Sequence, residues 1–333
     1  MKTIRDVANA AGVSVATVSR VLNGSASVSA KTRLRVLQVM REAGYVPNVL
    51  GRNLRTSATH MLLVILPTFS NQFYSRILRG IEDAAREAGY QVMFCPTHND
   101  LSIEEGYMRL LDNQSADGVI FLSSRQSAAQ LTALARRRPA VFCCEPMPGA
   151  PLSCVSIDNY RAGYETVEAL VRRGHERIAI LYHGGTYSAV LRRQGYHKAL
   201  LDAGLPVRKA YMIETDYRWQ SGEAACERLL ALPEPPTAVF CVSDLLAAGV
   251  MRALAQKGLR AGRDMAVVGF DDTAVASLLT PALSSVAQPR REIGRTAVGL
   301  LLHRMEELTG PAEYVYLPFT LMHRGSSDDQ NQT

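Results

Sequence analysis

Six residues in one short stretch, Ser14, Val15, Ala16, Thr17, Ser19 and Arg20, have the types and spacing of a surface that reads DNA. On a helix lying in the major groove, Val15, Ala16 and Arg20 would meet base edges while Thr17 and Ser19 reach phosphates. Thr3 and Asn23 belong to the same expected contact set. Chemistry of the bond-breaking kind has no comparable support. The chain contains no GxGxxG, P-loop, GxSxG or HExxH pattern, and its 7 histidines are dispersed. Nothing assembles a nucleophile with a base, so neither an enzyme nor a cofactor or metal site is expected.

The elements that must hold this surface are three short helices. Ile4, Val7 and Ala8 recur at helical spacing, Ala11-Gly12-Val13 breaks the run, and Ser14 is placed to cap a second helix through Asn23. Two helices joined by a glycine-containing turn make a helix-turn-helix. Ser29 caps a third helix through Ala43, with Leu34, Leu37 and Met40 expected on its apolar side, and Gly44 ends it. The turn Tyr45-Val46-Pro47-Asn48 then leads into Val49 to Arg55, which carries Arg52, Arg55 and a leucine, Leu54, read as unburied.

The charge distribution agrees with a nucleic-acid-binding head. Residues 1–60 hold nine of the 37 basic and two of the 31 acidic residues, which leaves the remainder near neutral at 28 against 29. A hydrophobic share of 47% is that of an ordinary globular protein, and 333 residues exceed one compact core. Cys95, Cys143, Cys144, Cys154, Cys226 and Cys241 show no metal spacing and read as buried, reduced thiols. With no signal peptide and no membrane-length apolar run, a cytoplasmic protein is expected.

Beyond a polar link at 56–60 the pattern becomes alternating β and α. Apolar runs at 61–67, 91–95, 117–123 and 139–144 are separated by amphipathic helices, and the rhythm restarts after CVSIDN (154–159) with strands at 177–181, 237–242 and 265–270. Such runs predict parallel sheets covered on both faces, and two successive blocks predict two similar lobes with a ligand cleft at the strands' carboxyl ends. A last helix spans 293–305, a last extended segment 314–322, and the tail 325–333 is expected to be disordered.

Taken together, DVANAAGVSVATVSRVLNG, the YVPN turn, GRNLR and core segments such as LRRQGYHKALLDAGL, PPTAVFCVSDLLAAGV and AVVGFDD resemble the LacI/GalR family of bacterial transcription regulators. The resemblance implies a helix-turn-helix domain (1–46), a hinge helix and linker (47–60) and a two-lobed core similar to periplasmic binding proteins (61–324). It further implies a homodimer on pseudo-palindromic double-stranded operator DNA, acting as a repressor. Its hinge would hold Asn48, Arg52 and Arg55 on DNA and insert Leu54 between two base pairs of the minor groove. In the cleft it implies Arg192 and Asp271 as the polar partners of a small effector, with Phe73, Tyr74 and Tyr217 as aromatic walls and Glu145 and Ser243 at strand ends. Asp244 is expected to cap the helix that follows it. An acid, an arginine and aromatic rings suit a neutral polyol, a sugar or related compound first and a nucleoside second. The nucleoside option reflects segments that resemble the family's cytidine regulator. A transported-solute receptor would share the core, but not the basic head.

Overall fold

The computed structural model of the chain describes residues 3–22, 27–45 and 58–328. It divides into two units, Met1–Thr59 and His60–Thr333. In the first, α1 (Ile4–Ala11), α2 (Val15–Leu22) and α3 (Ala30–Glu42) enclose a small core of Val7, Ala8, Ala11, Val18, Val21, Val36 and Met40. Gly12 ends α1 at φ 61°, a left-handed conformation that costs glycine nothing. Ser29 caps α3 by accepting from Thr32 N at 3.3 Å. The apolar side expected for α3 is corrected in part: Met40 is buried, but Leu34 is 66% and Leu37 38% exposed. Val36 has taken the inner face, and Leu34 lies about 200° around the helix from it.

The second unit alternates strictly as far as β4, with β5 following directly: β1 (Met61–Leu66), α4 (Gln72–Glu87), β2 (Gln91–Pro96), α5 (Leu101–Asp112), β3 (Gly118–Phe121), α6 (Ala128–Ala135), β4 (Ala140–Cys143) and β5 (Ser153–Ser156). There follow α7 (Asn159–Arg172), β6 (Ile178–Tyr182), α8 (Tyr187–Asp202), β7 (Met212–Glu214), α9 (Trp219–Leu230), β8 (Ala238–Cys241), α10 (Asp244–Gln256) and β9 (Ala266–Asp271). The chain closes with α11 (Ala274–Leu278), β10 (Ser284–Ala287), α12 (Arg290–Glu306), β11 (Tyr314–Tyr316) and β12 (Thr320–Met322). Two six-stranded sheets result, in the orders β11-β5-β4-β3-β1-β2 and β12-β10-β9-β8-β6-β7. All pairings are parallel except β10 with β12. The central strands are buried throughout, as expected for parallel sheets covered by helices. Among the described residues no helix is long and apolar enough to cross a membrane.

The two lobes are not successive blocks of sequence. CVSIDN supplies β5 to the first sheet, between β4 and β11, and α12 returns to pack on α4, β3, β4 and β5. The final extended segment divides, giving β11 to the first sheet and β12 to the second. The chain therefore passes between lobes after β5, after β10 and between β11 and β12. The disordered tail is also corrected for 325–328: Ser326 and Ser327 are buried, and Ser326 Oγ donates to Val267 O at 2.6 Å while accepting from Ser284 N at 2.8 Å.

Candidate functional site

In the head, Ser14 Oγ accepts from Thr17 N at 3.1 Å, fixing the start of α2. Val18 and Val21 face the core, which leaves Ser14, Val15, Ala16 and Arg20 exposed and Thr17 and Ser19 half-buried on the opposite arc. The exposed arc therefore carries the residue types expected to read bases. Thr3 has a structural task as well, since it forms a capping box with Asp6 at the start of α1. Asn23, Asn48, Arg52, Leu54 and Arg55 lie outside the described residues.

Within the second unit, the carboxyl ends of both sheets face a cavity of about 510 Å³. Phe73, Tyr74, Glu145, Arg192, Tyr217 and Asp271 all line it. Arg192 is only 6% exposed. Its Nε donates to Asn159 Oδ1 at 2.8 Å and its Nη1 to Val242 O at 2.9 Å, while the guanidinium lies 3.6 Å from the centre of the Phe270 ring. These three anchors fix the plane of the fork. Among the described residues nothing accepts from Nη2, which leaves that nitrogen for a ligand.

Asp271 ends β9 in an unfavourable conformation, φ 100°, and Asp272 follows at φ 46°. Its hydrogen bond is a neutral one, accepted from Gln288 Nε2 at 2.8 Å. Burial therefore pushes its carboxyl up to about 7, against the pull of Arg192 and with a further push from Asp244. Glu145, after β4 of the first lobe, reaches across to the second lobe, where it accepts from Ser188 N at 2.8 Å and Ser188 Oγ at 2.6 Å. It thereby caps α8, whose own N-cap Thr186 makes no side-chain cap bond. Burial raises the Glu145 carboxyl even so, and burial also raises the Tyr74 and Tyr217 phenols, so both stay neutral donors. Tyr217 bonds Thr186 Oγ1 at 3.2 Å and packs on His183.

Ser243 does not line the cavity; its Oγ accepts from Leu246 N at 3.4 Å and caps α10. That reverses the expectation for Asp244, which is buried and instead accepts from Thr273 N, Thr273 Oγ1 and Ser285 Oγ at 2.6, 2.9 and 2.6 Å. Sequence reasoning missed Arg125, His183, Tyr187, Ser188 and Trp219, which also line the cavity. Trp219, the sole tryptophan, carried a usable signal: a rare large aromatic two residues after Tyr217, at the start of a helix.

Comparison with known proteins agrees with both units. Residues 3–48 match the model for bacterial regulatory proteins of the lacI family, and residues 167–327 match a periplasmic binding protein-like domain. The chain is 38% identical to the HTH-type transcriptional repressor CytR of Escherichia coli over 91% of its length and 90% of that protein's. It is 36% identical to the HTH-type transcriptional regulator DegA of Bacillus subtilis, with 88% of each chain covered. A crystal structure of the lac repressor dimer bound to operator and the anti-inducer ONPF superposes with TM-score 0.88 at 30% identity, covering 98% of this chain and 99% of that one. The chain belongs to the LacI family of bacterial transcription regulators.

Proposed function

We propose that the protein is a dimeric, cytoplasmic repressor that binds a pseudo-palindromic operator through the exposed arc of α2 and is controlled by a small polyol held between its lobes. The observation that carries the effector reading is the pair of poorly satisfied polar groups in the cavity. Asp271 has one neutral donor, and Arg192 has a nitrogen with no acceptor. Vicinal hydroxyls supply what each lacks, donating to the carboxylate and accepting from the guanidinium. Phe73, Tyr74 and Tyr217 would cover the apolar faces of the same ring. Closure of the lobes on a ligand would alter operator affinity through linkage between the two sites.

A nucleoside is the second reading. It is favoured by the further aromatic rings at Tyr187 and Trp219, which give a planar base a surface that a lone sugar would leave unused. Thermal unfolding against pentoses, hexoses, sugar acids, nucleosides and purine bases tests both, because a ligand of the folded state raises the midpoint by mass action. A sugar hit supports the first reading and a nucleoside hit the second. If the protein binds operator but shifts with no member of the panel, the polyol reading fails.

A further inference from the structure

Three helix pairs in the second unit, α4 with α12, α7 with α8 and α9 with α10, cross at paired glycines. Each glycine rests on the backbone carbonyl of the residue three positions before its partner. Gly80 rests on Arg291 and Gly294 on Ile77; Gly163 rests on Arg192 and Gly195 on Tyr160; Gly222 rests on Leu246 and Gly249 on Trp219. The same reciprocal spacing, three times over, brings backbone against backbone as no larger residue permits.

Two of these six seats are occupied by cavity residues. We propose that Gly163 and Gly249 are positioning residues of the effector site, their missing Cβ setting how far Arg192 and Trp219 reach into the cavity. A Cβ at Gly163 would lie 2.8 Å from Arg192 Cα and closer still to its carbonyl oxygen. One at Gly249 would lie 2.8 Å from Glu223 N and closer still to the carbonyl oxygen of Trp219. Restoring an ordinary carbon-to-oxygen contact of about 3.3 Å requires the facing turn to retreat by about 1 Å. That exceeds the tolerance of about 0.5 Å within which a binding constellation works. Arg192 is sensitive because its guanidinium is held at once by Asn159, the Val242 carbonyl and the Phe270 ring.

Gly80 is the internal control. A Cβ there would lie 3.0 Å from Arg291 C and closer to its carbonyl oxygen, a clash of the same kind on a residue that does not line the cavity. The proposal rests on the cavity being the effector site, but its test needs no effector, so the two can fail separately. Ligand-free Gly163→Ala, Gly249→Ala and Gly80→Ala proteins are crystallised, and the emission and acrylamide quenching of Trp219 are recorded. The expected result is an Arg192 withdrawn from the Phe270 ring and from Asn159 in the first variant. In the second, Trp219 emission shifts to the red and is quenched more readily. The third changes neither. The two cavity variants are independent, so either one that folds decides. Arg192 and Trp219 staying in place while α7 and α10 move instead would overturn the proposal. So would an equal Trp219 change in Gly80→Ala, or failure of all three to fold, which would reduce the crossings to a role in stability.

Discussion

Effector affinity should depend on pH through Asp271, and the sign follows from its surroundings. In the free protein this carboxyl is held at about 7 by burial, with Asp244 behind it, Arg192 and Arg290 near it and one bond from Gln288. A ligand that donates hydroxyls stabilises the carboxylate and draws the pKa well below 6. Binding then expels a proton wherever free Asp271 is protonated, so affinity rises as pH rises towards 7 and levels off above it. With a free value of about 7, the dissociation constant should fall about tenfold between pH 6 and pH 8, with about half a proton released per ligand at pH 7. Titration calorimetry in buffers of different ionisation enthalpy measures both, using the ligand found by the thermal panel. The same raised pKa makes a second, ligand-free statement. Because Asp271 titrates higher folded than unfolded, it destabilises the native state fully above pH 7 and not at all below about pH 4, by up to about 4 kcal/mol. Asp271→Asn should therefore raise the melting temperature by several degrees at pH 8, leave it unchanged at pH 4, and abolish the effector response. A flat affinity profile together with an unshifted melting point would refute the reasoning.

Four other perturbations discriminate between roles. Arg192→Lys keeps the charge but cannot span Asn159 and the Val242 carbonyl while lying flat on Phe270, so effector affinity should drop at least about tenfold; an unchanged titration would remove the planar fork from the account. Asp244→Ala orphans three donors, and the urea midpoint should fall by the equivalent of about 3 kcal/mol. Ser14→Ala should cost the head about 1 kcal/mol, read as faster amide exchange in residues 4–22 with no change in the core's melting. Leu54→Ala should lower operator binding but spare salt-sensitive binding to random DNA; equal loss of both in a mobility-shift assay would remove the wedge.

The head was legible because its signals are local. Caps at Ser14 and Ser29 and a glycine at 12 act over three or four residues, so spacing reveals them; only α3, with apolar residues on two arcs, left its inner face ambiguous. The lobes were legible as elements but not as a topology. A run such as CVSIDN reads as a strand whichever sheet it joins; β5 is assigned to the first lobe by pairing with β4, whereas α12 and β11 join it by packing across more than a hundred residues of sequence. Asp244 shows the same limit within the site. A Ser-Asp pair before a helix offers two capping residues, and the choice fell to Ser243 because Thr273 and Ser285, brought up by β9 and β10, bond the aspartate first.

The hydrogen-bond partners of Arg192 and Asp271 also suggest how a ligand could move the lobes. Arg192 donates to Asn159, whose Nδ2 donates to Ser156 Oγ, which donates in turn to the Cys144 carbonyl of the first lobe. This chain of bonds follows the first crossing between lobes. Asp271 is bonded by Gln288 on the second crossing, and two residues later Arg290 of α12 donates to Asp272 O with its Nε buried and unbonded. Arg192 and Asp271 are thus each linked by hydrogen bonds to a segment that crosses between the lobes. If the proposed function holds, a ligand hydroxyl that competes with Gln288 for Asp271, or with Asn159 for Arg192, would perturb a crossing directly, without a relay through either hydrophobic core.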